Sequence, residues 1–159
     1  MRATRKILVV AALAGFAVLG TAGPALATPT STPVSSAQLV GVVHQTGPTT
    51  AEVMARYTCT GTPDQLHLWV SVKQTEDRTA DPRLAMEGSS QISAAWSQSH
   101  AGVLTCDGKN HVASFTVDQS EQGFGTLAKG DAWVQFCMFD ATTPEPMPPT
   151  SDMEFMHVR

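Results

Sequence analysis

Hydrophobic and polar residues alternate over two segments of the chain, which is the pattern of half-buried β-strands. In residues 53–59, Val53, Ala55, Tyr57 and Cys59 occupy one face and the residues between them the other. In residues 66–73 every second residue is Leu or Val, and this segment gives the strongest strand prediction in the sequence. Both segments therefore predict strands that cover a hydrophobic core with one face.

Short β-prone runs separated by turn or loop residues recur through the rest of the chain. Residues 132–139 are the most apolar of them and predict a central strand covered on both faces. The other predicted strands are 39–44, 91–97, 103–106, 111–118 and 152–158, with turns at 107–110 and 123–125, a polar loop at 74–82 and a Pro-rich loop at 142–150. About seven short strands without helical periodicity predict an all-β fold, an antiparallel Ig-like β-sandwich.

The N-terminus has the three-part pattern of a secretory signal peptide. Basic residues at positions 2, 5 and 6 precede an apolar run, and Ala25-Leu26-Ala27 provides a cleavage site. We therefore expect residues 1–27 to be a cleaved signal peptide, residues 28–36 a flexible Thr/Pro/Ser leader, and residues 37–159 the sandwich domain. The mature protein is expected to be secreted and extracellular, without a membrane anchor.

Removal of the signal peptide makes the protein acidic. The 159-residue chain has a formal net charge of -4, but three of its ten basic residues and none of its fourteen acidic residues lie in positions 1–27, so the mature net charge is -7. Nucleic acids and anionic lipid surfaces are bound through clustered Lys and Arg. The seven scattered basic residues that remain argue against nucleic acid and membrane as partners.

Three cysteines in an exported chain allow one disulfide bond and one free thiol. A Cys59–Cys137 bond would copy the bond that joins the two sheets of immunoglobulin domains, where Trp69 would be near the position of the core tryptophan. A Cys59–Cys106 bond would join the end of one strand to the start of an antiparallel neighbour. The entropy of loop closure does not separate these alternatives, because it depends only weakly on loop length.

Four short segments combine into a recognisable set of motifs. They are Tyr-Thr-Cys-Thr-Gly at 57–61, Val-Ser-Val-Lys-Gln at 70–74, Cys-Asp-Gly at 106–108 with His111 after it, and Gly-Phe at 123–124 followed by Gly-Asp-Ala at 130–132. This set resembles a group of small secreted actinobacterial proteins of unknown function. The resemblance implies an Ig-like sandwich and a Cys59–Cys106 disulfide, and it implies no activity. Cys137 is then expected to be a buried core thiol between Phe136 and Met138.

The sequence offers one weak candidate metal site. Met147, Met153, Met156 and His157 lie within eleven residues, and Met/His sets suit Cu(I). However, Met153 and Met156 fall on opposite faces of an extended strand, so core packing is the preferred interpretation. No cofactor is expected, and an extracellular copper-binding protein is an alternative function.

No motif of an enzyme is present in the sequence. It contains neither Gly-x-Ser-x-Gly nor His-Glu-x-x-His. A non-catalytic module that binds an extracellular protein or a cell-wall partner is therefore the preferred prediction, and a secreted inhibitor or hydrolase is a further alternative. The candidate binding loop is the proline-stiffened segment Pro144, Glu145, Pro146, Met147, Pro148 and Pro149.

Overall fold

A computed structural model describes residues 35–61, 66–86, 88–100, 102–140 and 150–159. The predicted signal peptide, nearly all of the predicted leader and nearly all of the Pro-rich loop lie outside these residues. The described strands are β1 (Ser36–Leu39), β2 (His44–Gln45), β3 (Ala51–Thr60), β4 (Leu66–Gln74), β5 (Ala95–Ser99), β6 (Asp107–Phe124), β7 (Gly130–Asp140) and β8 (Thr150–Val158), with short 3-10 turns at Pro82–Ala85 and Ser89–Gln91. The described part of the chain contains no α-helix, and its all-β class is as predicted.

The strands form one antiparallel sheet that is nearly closed. Their order is β1-β3-β6-β5-β4-β7-β8, and β2 pairs with β3 beside β1. The two ends of this order meet where Val43 forms a parallel bridge with Val158. There the Val43 N–H donates to the carbonyl of His157 at 3.0 Å, and the Arg159 N–H donates to the carbonyl of Val43 at 3.0 Å. The architecture is consistent with a β-sandwich or barrel.

The core is built from the inward positions that the alternation predicted. Every second residue of β3, from Ala51 to Cys59, is buried, and so are Leu68, Val70 and Val72 of β4. Rings from three strands meet in the centre: the centroid of Phe115 lies 5.1 Å from that of Phe136 and 6.1 Å from that of Tyr57. The strand predictions for 53–59 and 66–73 are therefore confirmed.

Three predicted strand segments are wrong in their bounds. The predicted strand 39–44 is two strands, because the chain leaves β1 after Leu39 and passes through Gly41 at φ +78° before β2. The predicted strand 91–97 begins only at Ala95, after the 3-10 turn at Ser89–Gln91. Residues 103–106 form no strand and are an irregular lead-in to β6. In addition, β1 begins at Ser36, one residue inside the predicted leader.

Two predicted turns lie within or at the end of β6, which is one strand of eighteen residues. Gly108 takes φ +77° near a register shift between β3 and β6, so its positive φ accommodates an irregularity in the ladder. A second shift lies where Ser97 pairs with Gly123 but Gln98 pairs with Asp118. As a result β6 pairs with β3 along its first half and with β5 near its end, and it joins the two layers of the fold.

A candidate binding groove on the outer face

All three tryptophans of the chain lie on one surface, which we call the outer face. It is the side of β5, β4, β7 and β8 that points away from the core. These four strands are adjacent and antiparallel, so their outward side chains form one continuous surface. Lys73 lies opposite Trp96 of β5 and opposite Trp133 of β7, and Trp69 lies opposite Cys137. The neighbouring outer-face pairs are Ser71 with Gln98 and with Gln135, Trp133 with Phe155, and Gln135 with Met153.

The chain between β4 and β5 forms a wall on this face. Asp81 begins the first 3-10 turn by accepting the N–H of Arg83 at 2.9 Å, and this turn presents Leu84, which is buried but does not belong to the core cluster. The second turn presents Ser89, whose Oγ accepts from Lys73 Nζ at 2.9 Å. This hydrogen bond links the wall to the centre of β4.

The wall and the sheet enclose an open groove of about 450 Å³. We call it the tryptophan groove, and its lining includes Trp69, Lys73, Leu84, Met86, Ser89, Ser90, Trp96 and Met153. Its apolar surface includes the exposed side chains of Met86 and Met153. A concave site with aromatic and apolar walls and a few polar groups has the general character of a small-ligand site.

The hydrogen-bond acceptors of the outer face are used within it. Gln98 Oε1 accepts from the indole N–H of Trp69 at 3.1 Å, and Gln135 Oε1 accepts from Ser71 Oγ at 3.0 Å. By contrast, the indole Nε1 of Trp96 is buried and has no hydrogen-bond partner among the described residues. Each of the two glutamine oxygens thus already accepts a bond from a neighbouring side chain of this face.

Lys73 supplies the positive charge of the groove. Its side chain packs over Trp96, with Nζ 5.4 Å from the ring centroid, and the residue is only 9% exposed. Burial lowers the pKa of the Lys73 ammonium below its ordinary value, because the charged form loses hydration. Within the described part of the chain, no carboxylate forms an ion pair with it.

Cys137 is a free cysteine that is buried, with 3% of its surface exposed. The core contains its neighbours Phe136 and Met138, and the core cluster does not include Cys137. Because side chains alternate along β7, Cys137 lies on the outer face opposite Trp69. Burial raises the pKa of its thiol from an ordinary 9.0 to about 11.

This shift gives a testable pH dependence. A thiol whose pKa is higher in the folded state keeps its proton there while the unfolded chain begins to lose it above pH 9, so stability falls as pH rises from about 9 to 11. We expect the free energy of unfolding, measured by urea titration, to decline more steeply in this window for the wild type than for C137A. Equal slopes, or rapid alkylation of Cys137 in the folded protein at pH 8, would contradict the burial of the thiol.

The disulfide that the resemblance implied is confirmed. Cys59 at the end of β3 is bonded to Cys106 just before β6, with the Cα atoms 4.5 Å apart. The alternative Cys59–Cys137 bond is wrong, since Cys59 is bonded to Cys106 and Cys137 is free. The comparison of Trp69 with the core tryptophan of immunoglobulin domains also fails, because Trp69 faces outward in β4 between the buried Leu68 and Val70.

The candidate copper residues do not converge in the part of the chain that the structure describes. Met156 is buried in the core, whereas Met153 is exposed on the other face of β8, where its sulfur lies 3.5 Å from Gln135 Nε2. His157 Nδ1 lies 3.2 Å from a carboxylate oxygen of Asp131. Across the described ranges, no three His, Cys, Asp or Glu side chains are grouped so that they could hold a metal ion. Met147 lies outside these ranges.

The candidate binding loop 144–149 also lies outside the described residues and stays a prediction. The tryptophan groove, in contrast, is a site that sequence reasoning missed. The alternation had already placed Trp69 and Lys73 together on one face of β4, but the addition of Trp96 and Trp133 depends on the strand order, which no local pattern specifies.

Among the described residues, no helix is both long enough and apolar enough to cross a membrane. No protein-family model and no curated protein matches this sequence.

Proposed function

We propose that this chain is a secreted, non-catalytic binding module with an Ig-like β-sandwich, and that the tryptophan groove is its binding site. The observation that carries the proposal is the placement of all three tryptophans on one outer sheet face, two of them lining an open groove. Aromatic side chains dominate binding energetics because they bury large apolar areas with little loss of conformational entropy. Its partner in this proposal is an extracellular protein or a cell-wall component.

The strand pairing supports the Ig-like part of the proposal. In immunoglobulin-type sandwiches the first, second and fifth strands share one sheet, and the third, sixth and seventh share the other. Here β1, β3 and β6 pair in one group and β4, β7 and β8 in the other. The chain departs from that plan where β5 lies between β4 and β6 and connects the groups.

Two features support secretion. The N-terminal 27 residues have the basic, apolar and small-residue parts of a signal peptide, and the Cys59–Cys106 bond is the kind of bond that persists in an oxidising compartment. The resemblance of the motifs around Tyr57, Val70 and Cys106 to small secreted actinobacterial proteins agrees with this origin.

The groove itself supports binding rather than catalysis. Ser89 Oγ and Lys73 Nζ are 2.9 Å apart, a distance at which a lysine could activate a serine nucleophile. However, the ammonium of Lys73 donates to Ser89 Oγ, and a protonated lysine cannot accept the proton of a serine nucleophile. The pair is better suited to holding the lysine in a fixed position at the base of the groove.

Fluorine NMR of protein labelled with 5-fluorotryptophan tests this proposal. We expect three resonances, each assigned by a Trp→Phe variant. On titration with a library of small aromatic and aliphatic fragments, those of Trp69 and Trp96 should shift, because their rings line the groove, whereas that of Trp133 should move less. Binding fragments are expected to have millimolar to micromolar dissociation constants, as is usual for small ligands.

A pair of variants makes the test specific to the groove. Ser90 is an exposed groove residue, so S90F places a ring in the cavity, while T116F adds the same ring to an exposed position of β6. Fragment-induced shifts should disappear in S90F and persist in T116F. Shifts that persist in S90F, or the absence of any shift at Trp69 and Trp96 across the library, would contradict the proposed binding site.

A further inference from the structure

The tryptophan groove contains a buried positive charge without a negative partner in the described part of the chain. Lys73 is more than nine-tenths buried, and its described contacts are the Ser89 hydroxyl at 2.9 Å and the ring of Trp96 at 5.4 Å. An ammonium group has three N–H donors, and Ser89 accepts one of them. Burial of a charge is costly unless the charge is paired, and here burial lowers the pKa of the ammonium. An anionic ligand would supply the missing charge.

The hydrogen-bond balance of the outer face favours the same kind of ligand. The side-chain oxygens of Gln98 and Gln135 already accept bonds from Trp69 and Ser71. The donors that remain are those of the Lys73 ammonium, of which Ser89 accepts one. A ligand that complements this arrangement brings acceptors, and a carboxylate brings two oxygens that only accept.

The surroundings of Lys73 define the rest of the ligand. The groove walls near it are the rings of Trp69 and Trp96 and the side chains of Leu84, Met86 and Met153. Such walls favour an aromatic or aliphatic body, and methionine adapts to bodies of different shape. A single lysine also suits a carboxylate better than a polyanion, which is bound by several Lys or Arg residues.

We infer that the tryptophan groove binds an organic carboxylate on an apolar body, with the carboxylate on Lys73 Nζ and the body between Trp69, Trp96 and Met86. This inference rests on the proposed function, since it assigns a ligand class to the proposed binding site. The carboxylate could be that of a free organic acid or the C-terminus of a peptide with an apolar last residue, because both have the same chemistry.

Calorimetric titration with matched acids and amides tests the inference. The probes are 3-phenylpropanoate and 3-phenylpropanamide for the free acid, and N-acetyl-Ala-Phe with a free or amidated C-terminus for the peptide. A hydrogen bond to a charged group is stronger than a neutral one. We therefore expect at least one of the two acids to bind about ten- to a hundredfold more tightly than its amide. The pair with the larger ratio identifies the source of the carboxylate.

Substitution of the lysine provides the decisive comparison. K73M keeps the length of the side chain and removes its charge, so the preference for acid over amide should be lost. K129M removes an exposed lysine outside the groove and should leave the preference unchanged. Circular dichroism monitors folding, and we expect K73M to unfold no more easily than the wild type because it removes a buried charge.

The outcomes separate this inference from the proposed function. If acid and amide bind equally and both are lost in S90F, the groove is a binding site but the carboxylate inference is wrong. If no probe binds, or if K73M retains the preference, the inference is also wrong. If the acid preference is absent from the wild type and appears only in E87Q, the wild-type groove does not take a carboxylate ligand, and the inference is wrong. Turnover of the methyl ester of 3-phenylpropanoate that is lost in S89A would overturn both the inference and the non-catalytic proposal.

Discussion

Replacement of both bridged cysteines in C59A/C106A should lower the free energy of unfolding by about 4 kcal/mol, which is the chain-entropy value for a loop of this length. The bond joins residues separated by 47 positions, so its loss frees a long segment of the unfolded chain. For a domain of ordinary stability, this is a large fraction of the total. We expect the double variant to have a much lower urea midpoint than the wild type.

The loss should also affect the folded structure near β6. The irregular lead-in 102–106 is held by the bond itself, by Leu104 in the core, and by the Thr105 N–H, which donates to the Tyr57 hydroxyl at 3.2 Å. The closed loop contains β4, β5 and both 3-10 turns, so it includes most of the groove. Ligand binding should therefore weaken together with stability.

Urea unfolding followed by tryptophan fluorescence measures the effect, and the wild type reduced with a phosphine provides a second comparison without substitutions. C137A is the matched control, because it removes the cysteine that forms no bond. A loss in C137A as large as in C59A/C106A would show that Cys137 forms the disulfide in solution. A decrease of less than about 1 kcal/mol in the free energy of unfolding of the double variant would contradict this prediction, because the loss of a native disulfide usually costs more.

The parts of the fold that could be predicted from the sequence are those where one strand's pattern is sufficient. The alternation in 53–59 and 66–73 locates β3 and β4 because each strand has one face on the core. The apolar run at 132–139 locates β7 for a similar reason, although only one of its faces lies in the core cluster. On the other face of β7, Trp133 packs against Phe155 of β8, with the ring centroids 5.0 Å apart.

The predicted turn at 107–110 is wrong, because the glycine in it has another use. Asp-Gly at 107–108 is a common hairpin signal, but a β-bulge can use a glycine with positive φ in the same way. Gly108 takes positive φ within β6 and the strand continues through it, whereas Gly123 takes positive φ one residue before the strand ends at Phe124. Local composition does not distinguish the two uses, because the choice depends on whether a partner strand lies alongside.

The groove could not be predicted because its residues are distant in the sequence. Trp69, Trp96 and Trp133 come from three strands that are adjacent only through the order β5-β4-β7. The position of Cys137 shows the same limit: its apolar neighbours indicate burial, but they do not indicate which of the two faces of β7 carries its side chain. When both faces of a strand are covered, apolar residues occur on both of them, so the sequence pattern does not indicate on which side a given residue lies.

A second large effect is expected from G125A, which should destabilise the protein by about 3 kcal/mol or more, since backbone strain and overpacking combine. Gly125 follows β6 at φ +73°, a conformation that costs an alanine about 1–2 kcal/mol. A Cβ atom there would also overlap the carbonyl oxygen of Ala94 and lie 2.9 Å from Ala95 Cα. Ala94 cannot move away freely, because its N–H donates to the carbonyl of Gln74 at 2.8 Å.

G41A is the matched control that separates the two contributions. Gly41 has a similar φ of +78°, but a Cβ atom at this position has no neighbouring atom within 4 Å. G41A should therefore cost only the conformational strain, reduced by the lower entropy of the unfolded chain, or about 1 kcal/mol. Urea unfolding of both variants should show a difference of about 2 kcal/mol or more. Equal losses would mean that the contact of Gly125 with Ala94 and Ala95 relaxes without strain, and that the junction between β6 and β5 is less closely packed than its geometry indicates.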